Sequence, residues 1–240
     1  MLDFVNAFGA SNLEELTCKH FIMNQIFFIL LLGSMGYQIA RRFGQIAKTI
    51  HLAKPVHVTN SSERWKRVFL LAFGQKKMFE KPLVGIFHFL IYAGFVLINI
   101  EILEIILDGL LGTHRIIAPM LGATYVYLID FFEILAAGVV VACFVFIFRR
   151  ISKNPARLNP EKQRELNGFP AKDAMNILLI ELVLMSALYI MNAADPEYSF
   201  VISKHFKSAL PQGDLHIIEQ AAWWLHIIGI LTFALYVTYS

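Results

Sequence analysis

Residues 81–115 read KPLVGIFHFLIYAGFVLINIEILEIILDGLLGTHR, and this stretch decides the fold that we expect. It is long enough to cross a bilayer, whose hydrocarbon core requires about 20 apolar residues of helix. It nevertheless carries His88 near its start and three carboxylates, Glu101, Glu104 and Asp108, near its end. Because an ionisable group inside a membrane span costs at least ~2.5 kcal/mol, we expect these side chains to face a bundle interior, a cavity or a cofactor.

The composition of the whole chain is that of an integral membrane protein. Of its 240 residues, 57% are hydrophobic and only 16% are charged, against about 25% charged residues in a soluble domain. The two cysteines, Cys18 and Cys143, stand far apart and lack the CxxC or CxxCH spacing of iron–sulfur, zinc and c-type haem sites. We therefore expect any iron–sulfur cluster to lie on another region or on a partner.

Five apolar stretches follow one another, so the predicted fold is an all-α, integral membrane five-helix bundle. A lead-in of residues 1–19 precedes a membrane domain of residues 20–240. The expected spans cover residues 20–40, 82–112, 117–148, 173–194 and 217–240.

Two basic loops set the expected orientation of these spans. Residues 41–81 hold ten of the 21 Lys and Arg residues, and residues 149–172 hold seven. The positive-inside rule therefore predicts that both loops are cytoplasmic, with the N-terminus outside and the C-terminus inside. Within the first loop, residues 63–79 are expected to form an amphipathic helix on the membrane surface, with Trp65 at the interface.

Two histidines, His88 and His226, lie inside predicted spans. Neutral imidazole is a good axial ligand of haem iron, and apolar helices suit the macrocycle. We interpret the pair as candidate metal ligands of haem b, with hydrogen-bonded core histidines as the alternative. His114 and Arg115, in the predicted turn after the second span, are candidate partners of haem propionates or of Asp108.

The carboxylates of the second span lie on one helix face, because they are spaced i, i+3 and i+7. The third span, which a short turn joins to the second, carries two more. We interpret the set as a track that carries protons outward from an oxidised quinol. The site residues of this hypothesis are Glu101, Glu104, Asp130 and Glu133. The alternative is that carboxylates cap helix ends or pair with Arg115, and for Asp108 we favour that interpretation.

The run ERWKRVFLLAFGQKKMFEKPLVGIFHFLIYAGFVLINIEILEIILDGLLGTHR at 63–115 resembles the membrane domain of bacterial iron–sulfur-binding oxidoreductases. The runs MNAAD at 191–195 and WWLHIIGILTFALYVTYS at 223–240 extend the resemblance. Such proteins are similar to the gamma (cytochrome b) subunit of respiratory nitrate reductase, fused to ferredoxin-like and heterodisulfide reductase-like iron–sulfur domains.

The resemblance implies a nitrate reductase gamma-like bundle with two b haems in the bacterial inner membrane. The run FHFLIYAGF matches the span that supplies two ligands ten residues apart. His88 matches the first of these ligands, and the second falls on Ile98. His226 matches the first ligand of the last span, whose second would follow Ser240. The iron–sulfur clusters would then lie on a C-terminal region beyond residue 240 or on a partner.

The leading interpretation is a b-haem-type electron-transfer subunit that links the quinone pool of a respiratory chain to cytoplasmic iron–sulfur clusters, within a larger membrane complex. Ile98, in the place of a ligand, favours an alternative: a haem-free membrane anchor or assembly subunit. A proton pathway protein is a third reading, and it rests on the carboxylates alone. We expect membrane lipid and quinone as partners, and no nucleic acid.

Overall fold

A computed structural model describes residues 2–53, 60–74, 79–152 and 169–239, with the side chains of residues 22–53, 60–71, 73–74, 79–152 and 172–239. Within these ranges the regular elements are helical. A π-helical turn covers Phe69–Phe73. The α-helices are α1 (Leu2–His51), α2 (Ser61–Val68), α3 (Pro82–Leu111), α4 (Ala118–Leu121), α5 (Thr124–Ile151), α6 (Phe169–Ala194), α7 (Lys204–Lys207) and α8 (Leu215–Val237).

Five of the described helices, α1, α3, α5, α6 and α8, are long and apolar enough to cross a membrane. For the part of the chain that the structure describes, the prediction of an all-helical fold with five candidate spans is thus confirmed. Helix α1 continues to His51, whereas the sequence pattern ended the first span at residue 40. The extra turns follow from the residues there, because Arg, Lys, Gln and Ala all favour helix.

Helix α3 has clear start and stop signals. Pro82 occupies its first turn, where a missing N–H costs nothing. Gly112 ends it with φ +67°, a left-handed conformation that glycine adopts without strain. The amide of Gly112 donates to the Asp108 carbonyl at 2.7 Å, which closes the last turn of the helix.

The third span begins later than predicted. Residues 118–121 form the separate turn α4, and α5 starts only at Thr124. Gly122 lies between them with φ +54° and ψ −133°, a region that is essentially restricted to glycine. The backbone therefore changes direction there, where an apolar pattern alone predicted a continuous helix from residue 117.

The five long helices pack in a closed order, in which α3 contacts α5, α5 contacts α6, α6 contacts α8, and α1 contacts both α8 and α3. Glycines allow close approach between them, as in other membrane bundles. A Cβ at Gly94 would overlap Val139 of α5, and a Cβ at Gly229 would lie 2.6 Å from Leu184 of α6.

The predicted surface helix at residues 63–79 corresponds in part to α2 and the π-helical turn, with Trp65 exposed. Residues 75–78 and most of the second basic loop, at 153–168, lie outside the described residues.

Candidate functional site

A cavity of about 500 Å³ occupies one end of the bundle, where α3, the α3–α5 turn and the α6–α8 connection meet. We name this the carboxylate end. The volume is within the range of small-molecule sites, about 300–1,000 Å³. One wall is aromatic, formed by Phe28 of α1 with Trp223 and Trp224 of α8, and polar side chains such as Glu101 complete it.

Glu101 is a buried polar group of this cavity that lacks hydrogen-bond partners among the described residues. Its side chain is only 3% exposed, and neither carboxylate oxygen has a hydrogen-bond partner among the described residues. An unsatisfied buried polar group carries a desolvation cost of about 1–3 kcal/mol, and more when it is charged. A group of this kind on a cavity wall is therefore positioned to receive a donor from a bound molecule.

Glu104, one turn further along α3, is fully engaged instead. Its Oε1 accepts a hydrogen bond from the Ile117 amide at 3.0 Å. Its Oε2 accepts the hydroxyl of Tyr125, from α5, at 2.8 Å. These two bonds hold the α3–α5 turn against α3, so this carboxylate has a structural task.

Asp108 has the same role for the turn itself. Its Oδ1 accepts from the hydroxyl of Thr113 at 2.6 Å and the amide of Ile116 at 3.0 Å, and its Oδ2 accepts from the amide of Arg115 at 2.9 Å. The side chain thus satisfies backbone donors just after the helix, which agrees with the interpretation favoured for it from sequence.

Arg115 is buried at the centre of a polar network. Its guanidinium donates to Asp195 Oδ2 at 2.6 Å, to the Tyr125 hydroxyl at 2.9 Å and to Asn192 Oδ1 at 2.9 Å. Although burial opposes its charged form, the neighbouring Tyr125 and Asp195 groups raise the pKa of Arg115. These three partners hold the guanidinium within the protein, and its role toward a haem propionate stays a prediction.

The two carboxylates of α5 are also engaged with a loop. Glu133 Oε2 accepts the amides of Ile202 and Ser203 at 2.8 and 3.1 Å, and its Oε1 accepts Asn192 Nδ2 at 3.1 Å. Asp130 Oδ1 accepts the Val201 amide at 2.7 Å. The α6–α7 connection is therefore fastened to α5 by these side chains.

His114 lies at the edge of the cavity, between two carboxylates. Its Nε2 is 3.6 Å from Asp195 Oδ2, and its Nδ1 is 3.8 Å from Glu219 Oε1. The nearby Asp195 carboxylate raises the pKa of His114. Burial alone would raise the pKa of Asp195, but the neighbouring His114 imidazole and the Arg115 guanidinium hold it well below its usual range.

His226 is fully buried, with Nδ1 3.0 Å from the Leu184 carbonyl oxygen. It lines a second cavity of only about 30 Å³, together with Ile98 of α3 and Glu181 of α6. His88, near the other end of α3, is exposed on the isolated chain, and its ring centre is 4.7 Å from that of Phe146.

These positions do not fit a haem held by two histidines from the described residues. Ile98, which lines the same cavity as His226, has no donor atom, and the space there is about that of one water molecule. His88 is packed against a phenylalanine and not against a second histidine. No reaction step is therefore derived through haem.

The sequence pattern missed several residues of the site. Tyr125, Asn192, Asp195 and Glu219 contribute to the network or to the cavity edge. The signal for Asp195 was present, because MNAAD ends an apolar span on a carboxylate. Its pairing with Arg115 depends on α6 lying beside the α3–α5 turn, which spacing along the chain does not reveal.

A comparison with curated proteins finds a similarity to the probable iron-sulfur-binding oxidoreductase FadF of Bacillus subtilis (strain 168). The two are 25% identical over a region that covers 74% of this chain. The chain spans about a quarter of the length of that relative, since the match covers 25% of it. No protein-family profile matches the chain, and no solved structure matches it significantly.

Proposed function

We propose that this chain is the quinone-binding membrane subunit of an iron–sulfur oxidoreductase, with the headgroup of the quinone bound in the cavity at the carboxylate end. The observation that carries the proposal is Glu101, a buried carboxylate without internal partners on the wall of a cavity of about 500 Å³. The five candidate spans and the similarity to an iron-sulfur-binding oxidoreductase support it.

The chemistry of a quinol headgroup matches the walls of the cavity. Its ring is flat and apolar, and such rings pack well against the aromatic side chains of Phe28, Trp223 and Trp224. Its hydroxyl group is a donor, which supplies the hydrogen bond that Glu101 lacks. A hydrogen bond to a charged acceptor contributes about 1.5–3 kcal/mol, enough to fix the orientation of the ring.

Quinol oxidation releases two electrons and two protons. In the proposal, Glu101 accepts one proton from a bound hydroxyl, the second proton leaves to the water outside the cavity, and both electrons pass to iron–sulfur clusters of a partner bound at this same end. Glu104, Asp130 and Glu133 position the walls and loops, because their oxygens accept internal hydrogen bonds. Of the four carboxylates that the sequence suggested for proton transfer, only Glu101 accepts a proton in this proposal. The other three hold the surrounding walls and loops in place.

The orientation follows from the basic segments. With residues 41–81 and 149–172 on the cytoplasmic side, in the inner membrane of a bacterium, the carboxylate end faces outward. Protons from Glu101 then leave on the outer side. Haem b is not used in this proposal, because Ile98 stands where His226 would need a second ligand.

Photoaffinity labelling tests the location. A short-tailed azidoquinone is bound to the purified protein in lipid nanodiscs, irradiated, and mapped by mass spectrometry. The expected labels fall on the peptides of residues 101–115 and 216–224, and excess unlabelled quinol removes them. Labels confined to the opposite end of α3 or α8, or labels that quinol does not displace, would overturn the proposed site.

The second candidate is the haem-free anchor or assembly subunit, which Ile98 opposite His226 favours. An anchor needs the five-helix bundle but no ligand in the cavity. Glu101→Leu separates the two functions. For an anchor, this variant copurifies with its iron–sulfur partner and retains full quinol-dependent reduction of the partner, whereas for a quinone-binding subunit it copurifies but loses that activity.

A further inference from the structure

Three side chains of types that commonly bind metal ions in proteins lie together at the edge of the cavity. His114 comes from the α3–α5 turn, Asp195 follows α6, and Glu219 lies in the second turn of α8. One ligand atom from each lies within 4.8 Å of the others. We propose that these three residues bind a divalent transition metal ion, for which Zn²⁺ has the best-matched chemistry.

The distances are close to those of a metal site. Tetrahedral Zn²⁺ binds imidazole nitrogen at about 2.0–2.1 Å and carboxylate oxygen at about 2.0–2.2 Å, so its ligand atoms stand roughly 3.4 Å apart. His114 Nε2 lies 3.6 Å from Asp195 Oδ2, and His114 Nδ1 lies 3.8 Å from Glu219 Oε1. Because the His114 side chain is 46% exposed, its ring has room to turn one nitrogen toward both carboxylates.

The ligand types select the ion. An imidazole with two carboxylates suits Zn²⁺ and its neighbours in the first transition row, whereas Ca²⁺ and Mg²⁺ prefer oxygen ligands alone. The positive charges of Arg115 and Lys207 contact Asp195, at its Oδ2 and its backbone carbonyl respectively, so the preference for this ion rests on the ligand types. The exposed side of His114 leaves a fourth position open to water.

Arg115 and the backbone hold the deepest ligand in place. Asp195 Oδ1 accepts the amides of Glu197 and Tyr198 at 2.9 Å each, and Oδ2 accepts Arg115 Nε at 2.6 Å. Such outer contacts orient metal-binding carboxylates, and losing one typically weakens metal affinity 10–100-fold. Asp195 therefore does not need to reorganise when an ion binds.

A bound ion would link the α3–α5 turn, the end of α6 and the start of α8. His114 and Glu219 also line the cavity, so the ion would sit at its edge and stabilise its walls. The metal site does not depend on quinone binding, because none of the three ligands is Glu101.

Cobalt binding tests the site directly. The full chain is purified without a histidine tag, treated with a chelator, and titrated with Co²⁺, whose visible absorption reports coordination by the protein. We expect one ion per chain, displacement by Zn²⁺, and a rise in melting temperature. His114→Gln and Glu219→Gln should each weaken Co²⁺ binding at least tenfold, because each removes a direct ligand.

Two variants serve as matched controls. His216→Gln removes an exposed histidine of the same cavity, and Glu197→Gln removes an exposed carboxylate of the same cavity. Both should bind Co²⁺ as the unchanged protein does. Absence of a Co²⁺ spectrum, or equal losses in the controls and the ligand variants, would overturn the metal site. Quinone labelling of the same preparations tests the proposed function separately, because a protein that binds no metal ion at this site can still bind quinone.

Discussion

Glu101 and Glu104 lie three residues apart on one face of α3, yet their hydrogen-bonding environments differ. Glu104 accepts hydrogen bonds from the Ile117 amide and the Tyr125 hydroxyl, whereas the oxygens of Glu101 find no donor among the described residues. Both side chains are buried and both line the same cavity. Glu104 therefore stabilises the walls of the cavity, and Glu101 is available to a ligand.

The two carboxylates should respond differently to substitution. Glu104→Leu leaves the part-buried Ile117 amide and the buried Tyr125 hydroxyl without an acceptor, so it should destabilise the protein by about 1–3 kcal/mol. Glu101→Leu removes a buried polar group that has no hydrogen-bond partner among the described residues, so it should leave stability unchanged or raise it. Thermal unfolding in detergent measures both variants. Equal losses of stability would contradict the distinction between them.

Asp195 should be among the most sensitive positions of the carboxylate end. Asp195→Ala leaves the buried guanidinium of Arg115 without its charge partner, and breaking a buried pair in this way costs about 3–5 kcal/mol. The control is Glu197→Ala, an exposed carboxylate two residues away, which should change stability by less than about 0.5 kcal/mol. Denaturant titration checks the pair, and similar values for both would show that the ion pair is unimportant.

The contribution of His114 should depend on pH. The adjacent Asp195 carboxylate raises the pKa of His114 in the folded protein, so its stabilising effect is complete below the unfolded pKa of about 6.5. The effect is lost as pH rises through the folded pKa. His114→Gln should therefore lower the melting temperature at about pH 6 and have little effect near pH 9. A difference that is constant with pH would contradict the ion pair.

Helix α1 is held to α3 at a glycine. A Cβ at Gly109 would lie 2.6 Å from the ring of Phe28, which is buried there. Gly109→Ala should therefore displace α1 and cost about 1–3 kcal/mol, the usual range for overpacking. Gly33→Ala is the control, because a Cβ at Gly33 meets nothing within 4 Å. Proteolytic susceptibility and thermal unfolding of the two variants report the displacement.

The sequence was sufficient for the five candidate membrane spans, because each is a long apolar run with its own boundary residues. Pro82 and Gly112 mark the ends of α3 as their chemistry predicts. The break before α5 was not predicted, because Gly122 adopts a backbone conformation that hydropathy does not report.

The roles of the individual carboxylates could be assigned only from the packing of the helices and loops around them. Helical spacing places Glu101 and Glu104 on one face, but their different environments come from the α3–α5 turn and from Tyr125, 21 residues beyond Glu104. The depth of Glu133 in its predicted span suggested proton transfer. In the structure, its side chain accepts hydrogen bonds from the amides of Ile202 and Ser203, which lie 69 and 70 residues further along the chain. Spacing along one helix does not reveal donors that another segment brings.

The most direct test of the proposed function is the affinity of a soluble quinone analogue for the protein and its Glu101 variants. Two of the three tryptophans, Trp223 and Trp224, line the cavity, so quenching of intrinsic fluorescence reports binding. We expect saturable binding that Glu101→Leu weakens about 10–100-fold, as for loss of a hydrogen bond to a charged group. Glu101→Gln, which keeps an acceptor, should lie between, and Glu197→Gln should bind normally. Equal affinity of Glu101→Leu and the unchanged protein would contradict the account.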